Sequence, residues 1–481
     1  MKQAILILLF LLTSILFAQE WSEPVNISNM AGHDISPDIT IDNNGVLHCV
    51  WEHEIETNFR KIFYSKSDDN GETWSPPENI SQNNEYWLGS AQIDCDLQNN
   101  LFVTYDYNIG DWSETAVYLQ KYNGINWNDP LNLTEGYPGC NHSKIAIDSE
   151  NRVYIFFYWF SFRYRYLENG EWSDVLYPYP NPGDDEIGFS DIVVDSNDNL
   201  HLTGKYINNT TDFNHTIYAN YNKENNEWSE LVFIHNEFES GGEGIALDNE
   251  ENPHIVTRCS VAPYPYNTDR TQYSYYDGEN WIDPLLVVED PREQVIQNIN
   301  NDVYIIDREK NEDIYNAVIY VQSNNFEGEI IYTADIVSGF LLRYSHDTNI
   351  LYFFFTIYNS QEEDTDVFLM KKEIDTNITE ENIIHNLSYD NITLSQNYPN
   401  PFNPQTNINF SLRKGGKTTL KIFNIKGQLI KILVNEYKQK GDHSVIWNGT
   451  DMQNRQVSSG AYYYRLQVGN RVKTKSLTLV K

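Results

Sequence analysis

The feature that most limits what this chain can become is a repeat. The stretch PDITIDNNGVLHCVWEH at Pro37–His53 returns as AQIDCDLQNNLFVTYDY at Ala91–Tyr107. It returns again as SKIAIDSENRVYIFFYW (Ser143–Trp159), SDIVVDSNDNLHLTGKY (Ser190–Tyr206) and EGIALDNEENPHIVTRC (Glu243–Cys259). Asp42, Asp96, Asp148, Asp195 and Asp248 anchor these copies at spacings of 54, 52, 47 and 53 residues. Two weaker copies follow, one at Gln294–Arg308 with Asn298 at the anchor, the other at Gly339–Phe355.

Each copy has one inner grammar. A short apolar strand ends at the acid, and a turn rich in Asn, Asp and Glu reverses the chain. A second and a third strand follow. A fourth begins at tryptophan: Trp74, Trp127, Trp172, Trp228 and Trp281. The 34 Tyr and 11 Trp suit strands better than helices. Four antiparallel strands per ~50 residues, repeated, predict an all-β fold with a β-propeller. The seventh copy supplies only three strands, and the missing pattern stands at the start. WSEPVNIS at Trp21–Ser28 matches WSPPENIS at Trp74–Ser81, so the N-terminal strand is expected to complete the last blade. This gives seven blades. Six is the alternative, because the sixth copy lacks both acid and tryptophan.

The first residues, MKQAILILLFLLTSILFAQE, carry one cation and an apolar run to Phe17. They read as a signal peptide, 1–18, too short for the ~20-residue span of a membrane helix. No later stretch is apolar enough to span. Net charge is -36 overall, but residues 394–481 hold 14 Lys+Arg against 3 Asp+Glu, and the rest hold 19 against 66. The sign change separates a propeller over 19–385 from a basic domain over 397–481, with a linker at 386–396. An acidic body argues against nucleic acid as partner. Cys49, Cys95, Cys140 and Cys259 lie far apart without C-x-x-C spacing, so no metal site is expected and no pairing can be assigned. Nothing in the sequence calls for a cofactor.

Two local texts resemble known families. SDDNGETW at Ser67–Trp74 resembles the Asp-box, S-x-D-x-G-x-T-W, of sialidase and BNR-repeat propellers. Ser67, Asp69, Gly71, Thr73 and Trp74 supply it; other copies keep only its end. Asp69 can accept turn amides, Gly71 can take positive φ, and Trp74 can wedge between blades. In the resembled family the box is a structural turn away from the active face. From Leu394 onward the chain resembles the type A C-terminal sorting domain of bacterial type IX secretion. NYPNPFNP stands at Asn397–Pro404, and W-x-G-x-D and G-x-Y-x-Y-R-L elements stand at Trp447–Asp451 and Gly460–Leu466. Its short alternating strands predict an Ig-like sandwich. The resemblance implies recognition by the outer-membrane secretion machinery and a secreted or cell-surface destination.

A site is sought where each second strand ends. Ten residues after each anchor stand Glu52, Asp106, Tyr158, Lys205, Arg258 and Arg308. Acids and a tyrosine come from three adjacent copies, cations from the next three. Cations can hold a carboxylate or sulfate, and acids can exchange protons. The set is similar to a sialidase site, which implies Glu52, Asp106 and Tyr158 as catalytic candidates and Lys205, Arg258 and Arg308 as ligand-binding ones. No F-R-I-P-type motif precedes the first Asp-box. Trp112 and Trp159 on nearby loops suit stacking on sugar rings. His142 reads as a loop hydrogen-bonder; His48, His201 and His254, at one strand position, read as packing residues. Three readings stand: a module binding an extracellular glycan or protein, a sialidase-type exo-glycoside hydrolase acting on a terminal acidic sugar, or a structural surface protein with these charges paired between blades.

Overall fold

The computed structural model describes residues 20–56, 59–81, 87–108, 114–159, 161–179, 185–208, 213–234, 239–260, 269–282, 284–289, 294–311, 314–324, 326–360, 363–374, 392–394, 397–412, 416–424, 428–453, 455–468 and 471–480. The expected signal peptide, most of the expected linker and Trp112 lie outside them. The chain divides into two compact units, 1–376 and 377–481. Both are all-β, with no α-helix among the described residues.

In the first unit each copy of the repeat forms an antiparallel meander. Meander 1 is His33–Ile41, Leu47–Glu56, Phe59–Ser67 and Glu78–Asn79. Meander 2 runs from Trp87–Cys95 to Leu131–Asn132, and meander 3 from Asn141–Ile147 to Glu171–Trp172. Meander 4 runs from Glu186–Val194 to Val232–Phe233, and meander 5 from Glu239–Leu247 to Leu285–Glu289. Meander 6 runs from Gln294–Ile299 to Gly328–Ala334. It forms its own four-stranded sheet, although its anchor is Asn298, whose side-chain oxygen accepts the Asn301 amide at 3.1 Å. An amide carbonyl is acceptor enough for the turn.

Meander 7 has Ile336–Ser345, Ile350–Asn359 and Asp364–Glu373, and its fourth strand is Val25–Asn26, paired to Leu369 and Phe368. The strands at Glu171–Trp172 and Glu227–Trp228 include their tryptophans, whereas other fourth strands start later. In four of them the ladder begins directly after a proline (Pro24, Pro77, Pro130 and Pro284), which has no N–H to give and so delays pairing.

The hydrophobic clusters sit between consecutive meanders. Ile62, Tyr64 and Ile80 pack with Leu88, Ile93 and Val103 from meander 2. Tyr154 and Phe156 pack with Leu202 and Tyr221 from meander 4. The same pattern closes on itself, because Tyr352, Phe354 and Leu369 of meander 7 pack with Ile27, Leu47 and Trp51. Trp127, Trp228 and Trp281 each meet an aromatic of the preceding meander edge-on, Tyr64, Phe156 and Tyr218, with centroids 5.3, 6.2 and 5.1 Å apart. Trp74 meets Phe354 in the same way at 6.4 Å.

The anchoring acids hold their turns and link neighbours. Asp96 Oδ1 accepts the Gln98 and Asn100 amides at 2.9 and 2.8 Å. The left-handed residue of each turn then reaches back one copy: the Asn99, Asn151, Asp198, Glu251 and Asn301 side chains accept amides of Asn43, Leu97, Ser149, Ser196 and Asn249. His48, His201 and His254 stand between an anchor acid and a tyrosine, with Nδ1 2.8, 2.7 and 2.5 Å from the Tyr64, Tyr218 and Tyr273 hydroxyls. They are hydrogen-bonded linkers and not merely packing residues. The four cysteines are free thiols.

The second unit has two sheets around one core. One sheet pairs Ile392–Leu394, Thr406–Leu412 and Gly441–Trp447; the other orders Leu429–Lys438, Gly416–Asn424, Gly460–Val468 and Arg471–Leu479. Phe402, Ile408, Leu420, Trp447, Tyr464 and Leu466 fill the space between. The end of the expected linker, 392–394, thus belongs to this unit as a strand. Asn397 is buried, with its amide nitrogen on Tyr464 Oη and its side chain on Thr406 Oγ1 at 2.9 Å each.

Candidate functional site

Six of the seven meanders have a bulge in their first strand, at Ile35/Asp38, Gly89/Gln92, Asn141/Lys144, Phe189/Asp191, Gly242/Gly244 and Ser338/Leu341. A bulge leaves backbone amides outside the ladder, and a buried amide requires an acceptor. Two of the six residues expected to form the site, Glu52 and Asp106, meet that demand. Glu52, 2% exposed, accepts the Ser90 amide at 2.7 Å and the Arg60 guanidinium at 2.7 Å. Asp106, also 2% exposed, accepts the His142 amide at 3.0 Å. Tyr158 donates its hydroxyl to Glu186 of the next meander. Arg308 donates to the Val337 carbonyl at 3.2 Å and lies 5.5 Å from the centre of the Tyr315 ring. These four tie one meander to another or lie within it. Arg258 is half-buried opposite Gly241 and Thr271. Lys205 is exposed, its stem lying against Gly188. Trp159 ends its strand, and its side chain is outside the described ones.

Burial sets the carboxyl chemistry. Asp106 is pushed up to about 7, first by desolvation, with the Glu52 charge adding to it and the His142 amide opposing. Glu52 is raised by burial against the lowering pull of Arg60 and the Ser90 amide. The sign for stability follows. Between pH ~4 and ~7 the folded chain keeps a proton on Asp106 that the unfolded chain has lost, so stability falls as pH rises through that window. Asp106→Asn is neutral throughout. It is expected to match the wild type near pH 4 and to exceed it by about 4 kcal/mol at pH 8 in urea titrations. Equal stability at both pH values would show that Asp106 ionises as an ordinary exposed carboxyl does.

A second constellation comes from the first strands of the meanders themselves. Asp38, Lys144 and Asp191 stand four residues before their anchors, and Arg343 stands in the corresponding strand of meander 7. Arg343 Nη2 lies 3.4 Å from Asp38 Oδ1, and Asp38 Oδ2 accepts the Ile93 amide at 2.8 Å. Asp94, raised to about 6 by burial, accepts the Thr40 hydroxyl and feels both Arg343 and Asp38. Asp191 accepts the Ile245 amide at 3.1 Å. His142 is solvent-exposed. Desolvation and the ammonium groups of Lys205 and Lys144 hold its imidazole below the usual value. Lys144 and Lys205, from two meanders, thus both stand near His142, and Lys144 also acts on Asp38. Of these two cations only Lys205 was a sequence candidate for the site. Reading back four residues from each anchor would have found Lys144. No group of three or more metal-ligating side chains occurs among the described residues.

The Asp-box residues lie in meander 1. Asp69 Oδ1 accepts the Ser67 hydroxyl and the Thr73 amide at 2.8 and 2.9 Å, and Oδ2 accepts the Thr73 hydroxyl at 2.6 Å. The Thr73 and Ser67 hydrogen bonds hold its carboxyl at about 2. Gly71, at φ +82°, sits against Leu369 of meander 7.

Residues 396–480 match the model of the secretion system C-terminal sorting domain. That domain marks proteins exported by type IX secretion to the cell surface or released. No curated protein sequence matches the chain. Among solved structures, an ulvan lyase of polysaccharide lyase family PL25 aligns with TM-score 0.53 and 13% identity, over 73% of this chain and 93% of its own. The same kind of lyase bound to -[GlcA(1-4)Rha3S]- aligns with TM-score 0.52, 12% identity and the same coverage. A Trypanosoma rangeli sialidase gives 0.42 and 10%, over 93% of this chain and 84% of its own. These likenesses are of fold, and they are propeller-like.

Proposed function

We propose that the first unit is a seven-bladed β-propeller that binds an acidic extracellular glycan at one face, and that the chain enters export behind a signal peptide over residues 1–18. We read the second unit as an Ig-like sandwich recognised by the secretion machinery. The observation carrying the glycan reading is that Lys144 and the exposed Lys205 stand near the exposed His142 in a body that holds 19 Lys+Arg against 66 Asp+Glu. Cations so scarce gain most by meeting an anion, and a carboxylate or sulfate on sugar is the anion that a surface propeller meets. The ulvan lyase structure with its uronate and sulfated-rhamnose ligand is a precedent of fold for such a polymer.

Binding is favoured over hydrolysis because Glu52 is engaged by Arg60 and Ser90, and Tyr158 by Glu186. One observation favours the sialidase-like reading. Asp106, raised to about 7, has the proton affinity of a general acid.

The test uses the exported chain with ulvan, polysialic acid and neutral dextran. Retention of the acidic polymers alone, weakened at least 10-fold by the double variant Lys144→Glu/Lys205→Glu, is the expected result, at a cost of about 1.4 kcal/mol. Equal retention of dextran, or an unaffected variant, would overturn the reading. Shortened product in the mass spectrum, lost in Asp106→Asn, would establish the hydrolase instead.

A further inference from the structure

A cleft in the first unit is lined by none of the residues just described. It has a volume of about 330 Å³ and is lined by Tyr332, Ala334, Asp335, Ile357, Tyr358 and Phe368, with Asn359, Ser360 and Asp366. These residues come from the last strand of meander 6 and the second and third strands of meander 7, with the turns that follow. The lining holds three aromatic rings, two carboxylates and no Lys, Arg or His.

We propose that this cleft binds an organic ammonium group, with the aromatic side chains Tyr332, Tyr358 and Phe368 around it and the Asp335 and Asp366 carboxylates as its counter-ions. Aromatic faces attract cations through the ring quadrupole, more strongly where water is excluded. A carboxylate beside them adds Coulomb attraction and accepts the N–H bonds.

The charge around Asp366 supports the assignment. Asp366 is half-buried and accepts hydrogen bonds from Asn26 Nδ2 and Ser28 Oγ at 2.9 and 3.1 Å. Burial raises its carboxyl, and the nearby Asp34 and Asp364 charges raise it further against those hydrogen bonds. Asp34 is itself fully buried, with Oδ1 taking the Trp51 indole and the His53 ring at 2.9 and 2.7 Å. Its Oδ2, and Oδ1 of Asp364, are buried without a hydrogen-bond partner. A bound cation relieves that crowding, whereas an anion would worsen it. His33 stacks on Tyr358 at 6.3 Å and holds Thr365 Oγ1, which fixes the wall.

One chemistry, the ammonium, has two common sources outside a cell: a lysine side chain and an amino sugar. The full exported chain is titrated by NMR or calorimetry with tetramethylammonium, Nα-acetyl-lysine methylamide and glucosamine. Neopentyl alcohol and glucose serve as uncharged counterparts. The expected result is binding of the cations with at least 10-fold preference over the uncharged forms, reduced at least 5-fold in Asp335→Asn and in Tyr358→Leu. Asp335 is exposed and outside the closing strand, so its variant is expected to keep the fold. Tighter binding of the lysine derivative would identify a protein-borne ammonium; tighter binding of glucosamine would identify an amino sugar. Uncharged forms binding as well as the cations, or both variants binding unchanged, would overturn the proposal.

Discussion

Lys223→Met is expected to destabilise the first unit by about 3–5 kcal/mol, the cost of leaving buried charge without its partner. Lys223 reaches three carboxylates from meander 4. Its Nζ lies 2.9 Å from Asp148, 2.9 Å from Glu150 and 3.0 Å from Asp198. The Asp148 side chain is fully buried and that of Asp198 nearly so, while Glu150 is 68% exposed and adds little. The contact with Asp148 is a close charge pair, and that oxygen has no aligned hydrogen bond. Desolvation opposes the ammonium, but the three carboxylates outweigh it and hold the group charged. Anchors Asp42, Asp195 and Asp248 each have a histidine at this place. Asp148 has none, and Lys223 from the neighbouring meander stands in. Urea denaturation of Lys223→Met, and of Lys223→Met/Asp148→Asn, checks the account. The second variant should regain roughly half the loss. A single variant within 1 kcal/mol of wild type would mean that water already neutralises Asp148.

Gly71→Ala is the second large effect, at about 3 kcal/mol. At φ +82° an L side chain is strained, and a Cβ would stand 2.2 Å from Leu369 Cδ2. Strain in the left-handed region costs ~1–2 kcal/mol and overpacking a further ~1–3. Leu369 cannot swing clear, because it is 1% exposed and packed with Ile27, Leu47 and Phe354. Gly71 therefore seats meander 1 on meander 7. A melting temperature unchanged in Gly71→Ala would show that Leu369 repacks freely. Gly124, at φ +87° with nothing within 4 Å of its would-be Cβ, is the control, where only the strain of the backbone is expected.

Much of the architecture was legible because it is written in periodic form. The anchor acids, the tryptophans and the displaced copy WSEPVNIS each state a contact with a neighbour, and the same contact recurs in the structure. The site was less legible for a physical reason. The bulge in the first strand of nearly every meander adds a residue, so simple alternation no longer tells which side chains face which way. Glu52 and Asp106 occupy a position that looked like a ligand-facing rim, yet the bulge amides of Ser90 and His142 claim their oxygens. His142 and Lys144 carry no signal as single residues. They gain meaning only when Lys205 of the next meander is brought near His142. The cleft at Tyr332 and Tyr358 joins residues of two copies that the repeat keeps in separate lines of the alignment.

The strand Val25–Asn26, which completes meander 7, makes the two ends of the propeller chemically one element. Ser22 and Ile27 donate to Lys371 and Val367, and Trp21 lies edge-on to Phe353 at 6.2 Å. A chain that emerges from a ribosome or a translocon N-terminus first must therefore keep its earliest segment unsatisfied until more than three hundred residues have followed it. The ring behaves as a belt whose buckle is threaded last. The segment around Trp21 thus finds its partners only once meander 7 is present.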